Sequence, residues 1–140
     1  MDRYKGFTLL EVMGALVIVA VLVTITYPTY MGYVENSRRA DAINALLTLA
    51  TKQEKYHYNA GSYTDNMTLL GYSSDPAISP ESFYRLDAAL IDGGQNFTLT
   101  ATRQGVQVHD TTCGDLTLSS TGIKSAINNT SSDPLRDCWK

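Results

Sequence analysis

An apolar segment near the amino terminus places the strongest constraint on what this chain can fold into. No charged residue occurs from Val12 to Val34, and an apolar run extends from Phe7 to Tyr27 with Glu11 as its one charged member. At about 1.5 Å per residue, a helix of about 21 residues is long enough to cross the apolar core of a bilayer. A signal peptide has a shorter apolar core that ends in small residues before a cut site, and this segment has neither feature. The sequence therefore predicts a membrane-spanning helix.

Glu11 is out of place in such a segment. A carboxylate in hydrocarbon costs on the order of 3 kcal/mol unless it reaches the headgroups, takes up a proton or pairs with a cation. No Lys or Arg lies within the segment. Two interpretations stay open at this point. Glu11 either extends to the headgroups from the helix end, or it pairs with a positive group that a partner supplies.

The residues around Glu11 resemble the start of a type IV prepilin. The string Lys5-Gly6-Phe7-Thr8-Leu9-Leu10-Glu11 matches the leader motif of that family. In the family, a membrane peptidase cuts after the glycine and methylates the new N-terminal phenylalanine. The resemblance implies a cut between Gly6 and Phe7, N-methylation of Phe7, and pairing of Glu11 with the Phe7 amine of a neighbouring subunit. Such a pair makes a buried carboxylate tolerable and sets the axial register of subunits in a filament.

The same resemblance implies three parts: a leader at 1–6 that is removed, a transmembrane or filament-core helix at 7–29, and a globular head at 30–140. Because the cut retains the apolar helix, the processed protein is expected in the bacterial inner membrane with its head in the periplasm. From there it would move into an extracellular pilus. The implied partners are the major pilin, other minor pilins, the prepilin peptidase and the inner-membrane assembly machinery.

A helical pattern continues beyond the apolar segment. Pro28 removes one backbone hydrogen bond within the run and predicts a kink. After Tyr30 the pattern becomes amphipathic, and the helix is expected to end near Asn59, before Gly61. A helix of about 53 residues is roughly 80 Å long, so one half of it must lie outside the head. The apolar residues of the second half recur at spacings of three and four: Ala40, Ile43, Leu46, Leu47 and Ala50.

The rest of the chain alternates between turn residues and short apolar patterns. A loop rich in turn residues extends from Asn59 to Pro80, and Asp92-Gly93-Gly94 is a hairpin signal. Alternating patterns predict three half-buried strands. An antiparallel meander with one apolar face on the helix follows, which is an α+β architecture and matches the pilin fold. The predicted strands are Tyr84–Leu90, Phe97–Ala101 and Leu116–Leu118.

The long loop carries two groups of residues with expected contacts. Its apolar residues are expected to pack onto the core. Its tyrosines have two interpretations: an aromatic surface that binds a sugar or a partner, or packing beneath the loop, which the sequence favours. The apolar residues are Met67, Leu69 and Leu70, and the tyrosines are Tyr56, Tyr58, Tyr63 and Tyr72.

Cys113 and Cys138 are the only cysteines of the chain. In an exported head they are expected to pair, which stabilises the fold by about 3–4 kcal/mol on the chain-entropy model; two buried free thiols are the alternative. The pairing also follows from the resemblance, because pilins have a C-terminal disulfide. The string Cys113-Gly114-Asp115-Leu116-Thr117-Leu118 and the ending Cys138-Trp139 resemble PilE-type minor pilins in particular.

Composition argues against several function classes. Eleven basic residues against fourteen acidic ones leave a net charge of −3, so no basic excess indicates a nucleic-acid partner. The chain has two Cys and two His, which are too few for a four-ligand zinc site and any further site built from Cys and His. His57 and His109 also have no second ligand nearby in sequence. Phosphate-binding loops and nucleophile motifs are absent from the sequence. We therefore predict a protein that is not an enzyme and has neither a metal nor a cofactor.

The resemblance implies a minor pilin of a type IV pilus that supports pilus biogenesis, twitching motility and adhesion. Two alternatives stay open. The first is a pilus-borne receptor for DNA or host surfaces, for which Lys124, Arg136 and Lys140 form a weak basic patch. The second is a pseudopilin of a type II secretion system, which shares the leader and the helix. Arg38 and Arg39 either bind phosphate or lipid headgroups, or lie on a solvated helix face beside acidic neighbours.

Overall fold

A long N-terminal helix is followed by five strands and a short C-terminal helix. The structure is a computed structural model that describes residues 6–140, without the side chains of Pro28 and Thr29. Two 3₁₀ turns, Asp92–Gly94 and Gly105–His109, connect strands. The elements are α1 (Leu9–Ala60), β1 (Ala77–Ile78), β2 (Tyr84–Ile91), β3 (Asn96–Arg103), β4 (Asp115–Ser119), β5 (Lys124–Ile127) and α2 (Pro134–Cys138).

The chain divides into two compact units, of which the first ends at Val34 and the second is Glu35–Lys140. In the first unit, the large apolar side chains of α1 from Leu9 to Ile25 are 48–80% exposed. The second unit contains the rest of α1 and the whole sheet, and we call it the head. The helix ends at Ala60, which confirms the predicted end. It ends there because Gly61 adopts a left-handed conformation (φ +78°) and its N–H donates to the His57 carbonyl.

The face of α1 that packs in the head agrees with the predicted one in part. Of the predicted residues, Leu46 is fully buried and Ile43 and Ala50 pack against the core, whereas Ala40 and Leu47 are exposed. Helical spacing alone does not fix the edges of the buried stripe, which the sheet decides.

The sheet is an antiparallel meander with the strand order β1-β2-β3-β4-β5. One register row crosses all five strands, and each of its residues is buried against the helix side of the core. The three predicted strands are confirmed as β2, β3 and β4. The short strands β1 and β5 were not predicted because two and four residues are too few to show alternation. The row consists of Ala77, Leu86, Ala101, Leu116 and Ala126.

The loop after α1 packs on the core through part of the predicted set. Met67 and Leu70 are buried, as expected, but Leu69 is 57% exposed, so the expectation for Leu69 is wrong. Met67 and Leu70 lie on the side of the loop that faces the core, and Leu69 lies between them in sequence on the outside. Three of the four tyrosines pack against the core, whereas Tyr58 is 89% exposed: the three are Tyr56, Tyr63 and Tyr72.

Candidate functional site

The start of α1 is the first candidate site, and its geometry is a capping box. The Thr8 N–H and hydroxyl both donate to Glu11 Oε2, at 2.8 and 2.9 Å, and the Glu11 N–H donates to Thr8 Oγ1 at 3.3 Å. The reciprocal pair satisfies two backbone N–H groups that a helix start leaves without partners. Sequence reasoning missed this contact, although Thr8 and Glu11 have the spacing of the motif.

The capping box leaves part of the Glu11 carboxylate available. Within residues 6–140, Glu11 Oε1 makes no hydrogen bond, and Glu11 itself is exposed. Phe7 precedes the helix and is 87% exposed. In this uncut chain the Phe7 nitrogen is a peptide amide, so it carries no charge that Glu11 could pair with.

The apolar surface of α1 follows directly from Glu11. Among the described helices, α1 is the one that is long and apolar enough to cross a membrane. A shallow depression of about 320 Å³ lies on its exposed surface, lined by Phe7, Glu11, Leu16 and their neighbours. A soluble monomer does not leave an apolar surface of this extent in water, so lipid or protein must cover it. The helix continues through Pro28, whose side chain lies outside the described residues, and the predicted kink there stays a prediction.

The head holds the second candidate region, which the disulfide organises. Cys113 and Cys138 are bonded, with their Cα atoms 5.5 Å apart and both residues buried, which confirms the predicted pairing. The bond joins the connection before β4 to α2. Helix α2 was not predicted, although Asp133 and Pro134 carry its signal: the Asp133 side chain accepts a hydrogen bond from the Arg136 N–H, and Pro134 occupies the first turn.

Asp115, the first residue of β4, is hydrogen-bonded to the end of β3 and to the residue that follows β5. Its Oδ1 accepts hydrogen bonds from the N–H and Nε of Arg103, both at 3.0 Å, and its Oδ2 accepts one from Asn128 Nδ2 at 2.9 Å. Burial alone would raise the pKa of Asp115. The hydrogen bonds from Asn128 and Arg103, together with the Arg103 charge, outweigh burial and hold this pKa below its usual value.

A buried ion pair fastens α1 to the same region. Arg39 is 7% exposed, and it donates from Nε and Nη2 to the two oxygens of Asp110, at 2.6 and 2.7 Å. Asp110 also accepts hydrogen bonds from Gln107 Nε2 and from the Cys113 N–H. Arg39 is neither solvated nor free to bind a headgroup, so the two interpretations from the sequence are wrong in that respect. The acidic neighbour Glu35 does contact Arg39, with Oε2 3.9 Å from Nη2. The sequence does not show the partner, because Asp110 lies 71 residues away.

Two lysines lie against aromatic rings on the head. Lys52 Nζ lies 4.2 Å from the centre of the Tyr72 ring and donates to the Leu70 carbonyl at 2.9 Å. It lines a depression of about 360 Å³ together with Lys55. At the other end of the chain, Lys124 Nζ lies 5.4 Å from the centre of the Trp139 ring. In the described part of the chain no ion pair involves Lys124, Arg136 or Lys140, and the predicted basic patch stays a prediction.

Catalytic and metal-binding groups are not evident in the part of the chain that the structure describes. Residues 6–140 contain no cluster of three His, Cys, Asp or Glu side chains able to hold a metal ion. His57 stacks on Tyr63 with the ring centres 4.4 Å apart, and His109 ends the second 3₁₀ turn. The described residues offer the exposed apolar surface of α1 and a region of the head that the disulfide between Cys113 and Cys138 holds in place. Such features serve assembly and binding.

Comparisons of the sequence with known families give two matches. Residues 28–117 match the family model described as "Type IV minor pilin ComP, DNA uptake sequence receptor". Residues 1–27 match the model of the prokaryotic N-terminal methylation motif. The second match covers the segment that resembles a prepilin leader.

Individual relatives agree with the family matches. The chain is 31% identical over 80 residues to the type II secretion system core protein G of Pectobacterium carotovorum, covering 56% of this chain and 51% of that protein. It is 32% identical over 73 residues to the type IV major pilin PilE1 of Neisseria gonorrhoeae, covering 52% and 44%. The chain thus spans about half the length of the curated relatives it matches.

A solved type IV pilin from Shewanella oneidensis resembles about three quarters of this chain in fold. The TM-score is 0.52 at 25% sequence identity, and the alignment covers 76% of this chain and 98% of that pilin. A long N-terminal helix packed on an antiparallel sheet, with a C-terminal disulfide, is common to the prediction and the structure. The predicted pilin fold is confirmed.

Proposed function

The chain belongs to the type IV minor pilin ComP family, and from that premise we propose that it is a minor pilin, processed by a prepilin peptidase and built into a type IV pilus. Proteins of this family are structural, and they assemble with other pilins. The observation that carries the proposal is the exposed apolar half of α1 with Glu11 at its start. A prepilin motif and an apolar helix indicate a protein that is anchored in a membrane before it enters a pilus.

The cut is proposed between Gly6 and Phe7. Both residues precede the helix, which begins at Leu9, so the bond is in non-helical chain that a peptidase can bind. A Cβ at Gly6 would meet no atom within 4 Å, and Phe7 is exposed. The charged leader residues Arg3 and Lys5 lie outside the described residues. The same peptidase would then methylate the Phe7 nitrogen.

Cleavage changes the charge balance around Glu11. It converts the Phe7 amide into an ammonium, while Glu11 keeps one carboxylate oxygen outside the capping box. In a filament core of apolar helices, this oxygen would accept a hydrogen bond from the ammonium of an adjacent subunit. The pair offsets the cost of burying either charge alone, and it exists only when the subunits are in register.

We expect Glu11→Gln to reduce the amount of this chain in sheared filaments at least tenfold while its total amount in cells stays unchanged. The amide keeps the size of the side chain and can still accept the Thr8 hydrogen bonds, but it cannot pair with an ammonium. The measurement is the ratio of sheared-filament protein to membrane protein, with intact mass reporting the cut and the methyl group.

Two matched variants make this experiment specific. Glu81→Gln neutralises an exposed carboxylate of the head and should leave incorporation unchanged. Thr8→Val removes the capping hydroxyl but keeps the Glu11 charge. If Glu11 serves only as a helix cap, Thr8→Val should reduce incorporation more than Glu11→Gln, which keeps the capping acceptor. Normal incorporation of Glu11→Gln would exclude the pairing role.

The pilus itself is proposed to serve twitching motility and adhesion, with the inner-membrane assembly machinery and the major pilin as partners. The pseudopilin alternative is kept because the chain is 31% identical over 80 residues to a type II secretion system core protein G. The two are distinguished by where the chain is recovered. A type IV minor pilin is sheared from the cell surface with the pilus, whereas a pseudopilin is required for secretion of extracellular proteins.

DNA binding by the head is a second candidate function, which the description of the matched family favours. A basic surface among the described residues supports it: Lys52 and Lys55 border the same depression, and Lys52 lies against the Tyr72 ring. Among the described residues neither lysine has a carboxylate within 4.0 Å. Lysines without acidic partners bind phosphates by releasing counterions, which makes the affinity dependent on salt.

We expect Lys55→Gln to weaken retention of the full chain on duplex DNA and to lower the slope of log affinity against log salt by about one. Arg85→Gln is the matched control, because Arg85 is exposed but already paired with Asp87 at 3.0 Å. The measurement is a salt titration of DNA retention by the detergent-solubilised protein. Retention that is independent of salt, or an equal effect of Arg85→Gln, would contradict this candidate.

A further inference from the structure

A depression of about 400 Å³ lies in the head between α1 and the connection from β1 to β2. Its volume falls in the range of sites that bind small molecules. Neither the proposed assembly nor the candidate DNA surface uses this depression. It is lined by charged residues of both signs, Arg38, Asp41 and Glu81, and by Ser37, Asn44, Pro80 and Phe83.

Arg38 and Glu81 carry opposite charges in this depression but do not pair with each other. Within residues 6–140, neither side chain has an oppositely charged group within 4.0 Å. An exposed ion pair of this kind stabilises a fold only weakly, so keeping the two charges apart costs the fold little. The depression therefore presents one cation and one anion, both available to a ligand.

The α1 side of the depression supplies hydrogen-bond donors. The Arg38 guanidinium lies over the Phe83 ring, with Cζ 4.9 Å from the ring centre. This contact restrains the long side chain and leaves the N–H groups at the edge of the planar guanidinium free to donate. Ser37 and Asn44, on the same stretch of α1, are exposed and add a hydroxyl and an amide. Such a set of donors suits an anion with several oxygens.

The opposite side of the depression is held in place by Asp41, which is 8% exposed. Asp41 Oδ1 accepts a hydrogen bond from the Glu81 N–H at 3.2 Å, and Oδ2 accepts one from Ser79 Oγ at 2.6 Å. Ser79 Oγ in turn accepts one from the Tyr84 N–H at 3.0 Å. The backbone of Glu81 is therefore fixed, while its side chain stays exposed. Because both Asp41 oxygens are engaged, Glu81 supplies the free carboxylate of the depression.

A ligand that matches this arrangement carries an anion and a cation a short distance apart. An anion alone would meet the Glu81 carboxylate, and a cation alone would meet the Arg38 guanidinium. A phosphate accepts two parallel N–H groups of a guanidinium and further hydrogen bonds from a hydroxyl and an amide. A primary ammonium donates N–H groups to a carboxylate, which a quaternary ammonium cannot do.

We propose that the depression binds a phosphoethanolamine group, with its phosphate at Arg38 and its ammonium at Glu81. The group has two sources, the headgroup of phosphatidylethanolamine in a membrane and a soluble phosphodiester. The membrane source rests on the proposed membrane-anchored stage of this chain, whereas the charge complementarity of the depression does not. Of the two adjacent arginines, only Arg38 is available for such a headgroup, because Arg39 is buried against Asp110.

The test measures lipid adducts of the detergent-solubilised full chain by native mass spectrometry, with three phospholipids of identical acyl chains at equal concentration. Phosphatidylethanolamine should form at least five times as many adducts as phosphatidylcholine, whose quaternary ammonium has no N–H, or phosphatidylglycerol, which has no ammonium. Identical acyl chains make the contribution of the apolar part of α1 the same for all three lipids. Equal adduct yields would overturn the inference.

Two variants of the depression are compared with a control outside it. Arg38→Gln and Glu81→Gln should each reduce the phosphatidylethanolamine adducts at least fivefold and remove the preference among the three lipids. Arg85→Gln should leave the preference intact, because Arg85 is exposed, pairs with Asp87 and does not line the depression. Denaturant unfolding checks that each variant is folded. A loss in Arg38→Gln without a loss in Glu81→Gln would indicate a simple anion site and would overturn the inference.

Soluble glycerophosphoethanolamine distinguishes the two sources. Displacement of the lipid at an equal concentration would identify a soluble ligand, and displacement only in at least tenfold excess would identify the membrane lipid. Absence of displacement, or equal displacement by β-alanine, which carries a carboxylate in place of the phosphate, would overturn the inference. The assay needs no pilus, so its failure leaves the proposed function standing, whereas normal incorporation of Glu11→Gln contradicts the proposed role of Glu11 in assembly alone.

Discussion

Replacing Gly114 with alanine should prevent the disulfide-bounded region of the head from adopting its native structure. A Cβ at this position would lie 2.1 Å from the Ile127 carbonyl oxygen and 2.6 Å from the Asn128 carbonyl oxygen. Both atoms are backbone, and Ile127 pairs with Asp115 in the β4–β5 register, so relief of the clash separates the two strands. The residue also has a φ of +64°, which L side chains rarely adopt. We expect a loss of more than about 4 kcal/mol in the free energy of unfolding.

Gly122→Ala provides the matched control for this prediction. Gly122 has a φ of +80°, but a Cβ there would meet no atom within 4 Å. Its substitution carries only the conformational cost of a left-handed alanine, about 1 kcal/mol. Both variants are compared by denaturant unfolding of the solubilised full chain and by the fraction of Cys113 and Cys138 that is oxidised. Equal stabilities of the two variants would show that the close approach at Gly114 is unimportant.

Removing the Arg39 side chain should have the second largest effect. Arg39→Ala leaves the Asp110 carboxylate fully buried without its counter-charge, and the loss of one partner from a buried pair costs about 3–5 kcal/mol. Burial by itself would lower the pKa of Arg39, but its hydrogen bonds to Asp110 and the Asp110 charge raise it, so the guanidinium stays charged. Because Asp110 also accepts from the Cys113 N–H, the variant should loosen the disulfide region as well as the contact to α1.

Two comparisons test that explanation. Arg85→Ala breaks the exposed pair with Asp87, in which the side chains are 50% and 43% exposed, and it should cost less than about 1 kcal/mol. Combining Arg39→Ala with Asp110→Asn should restore part of the lost stability, because a neutral amide needs no counter-charge. A double variant that is less stable than Arg39→Ala would indicate that the cost comes from lost packing of the Arg39 side chain and not from the unpaired charge.

Local patterns explain why much of this protein could be predicted. The membrane-length apolar run, the ends of α1, the three alternating strands and the pairing of Cys113 with Cys138 all depend on residues close in sequence or on the small number of cysteines. The capping box of Thr8 and Glu11 and the start of α2 at Asp133 and Pro134 are equally local. They were missed although their signals are present.

Other features depend on contacts between distant segments. The identity of the buried stripe on α1 depends on the sheet, since Leu46 and Leu47 have the same character and only Leu46 is covered. Arg38 and Arg39 are adjacent residues of the same type, so the sequence does not show which of them is buried. In the fold, Arg38 lies over the Phe83 ring at 4.9 Å, whereas Arg39 is buried against Asp110.

The sequence by itself determined that this chain carries a membrane-length helix and an antiparallel meander, because hydrophobic period and turn chemistry act over a few residues. Its resemblance to a prepilin start is equally local, because a short motif carries it. Tertiary structure alone decided that Asp110 receives Arg39, that Gly114 has no room for a side chain, and that Gln107 is buried while Val106 and Val108 on either side of it are exposed. The physical reason is that burial of a polar group depends on which partner arrives from elsewhere in the chain, and spacing along the sequence does not contain that information.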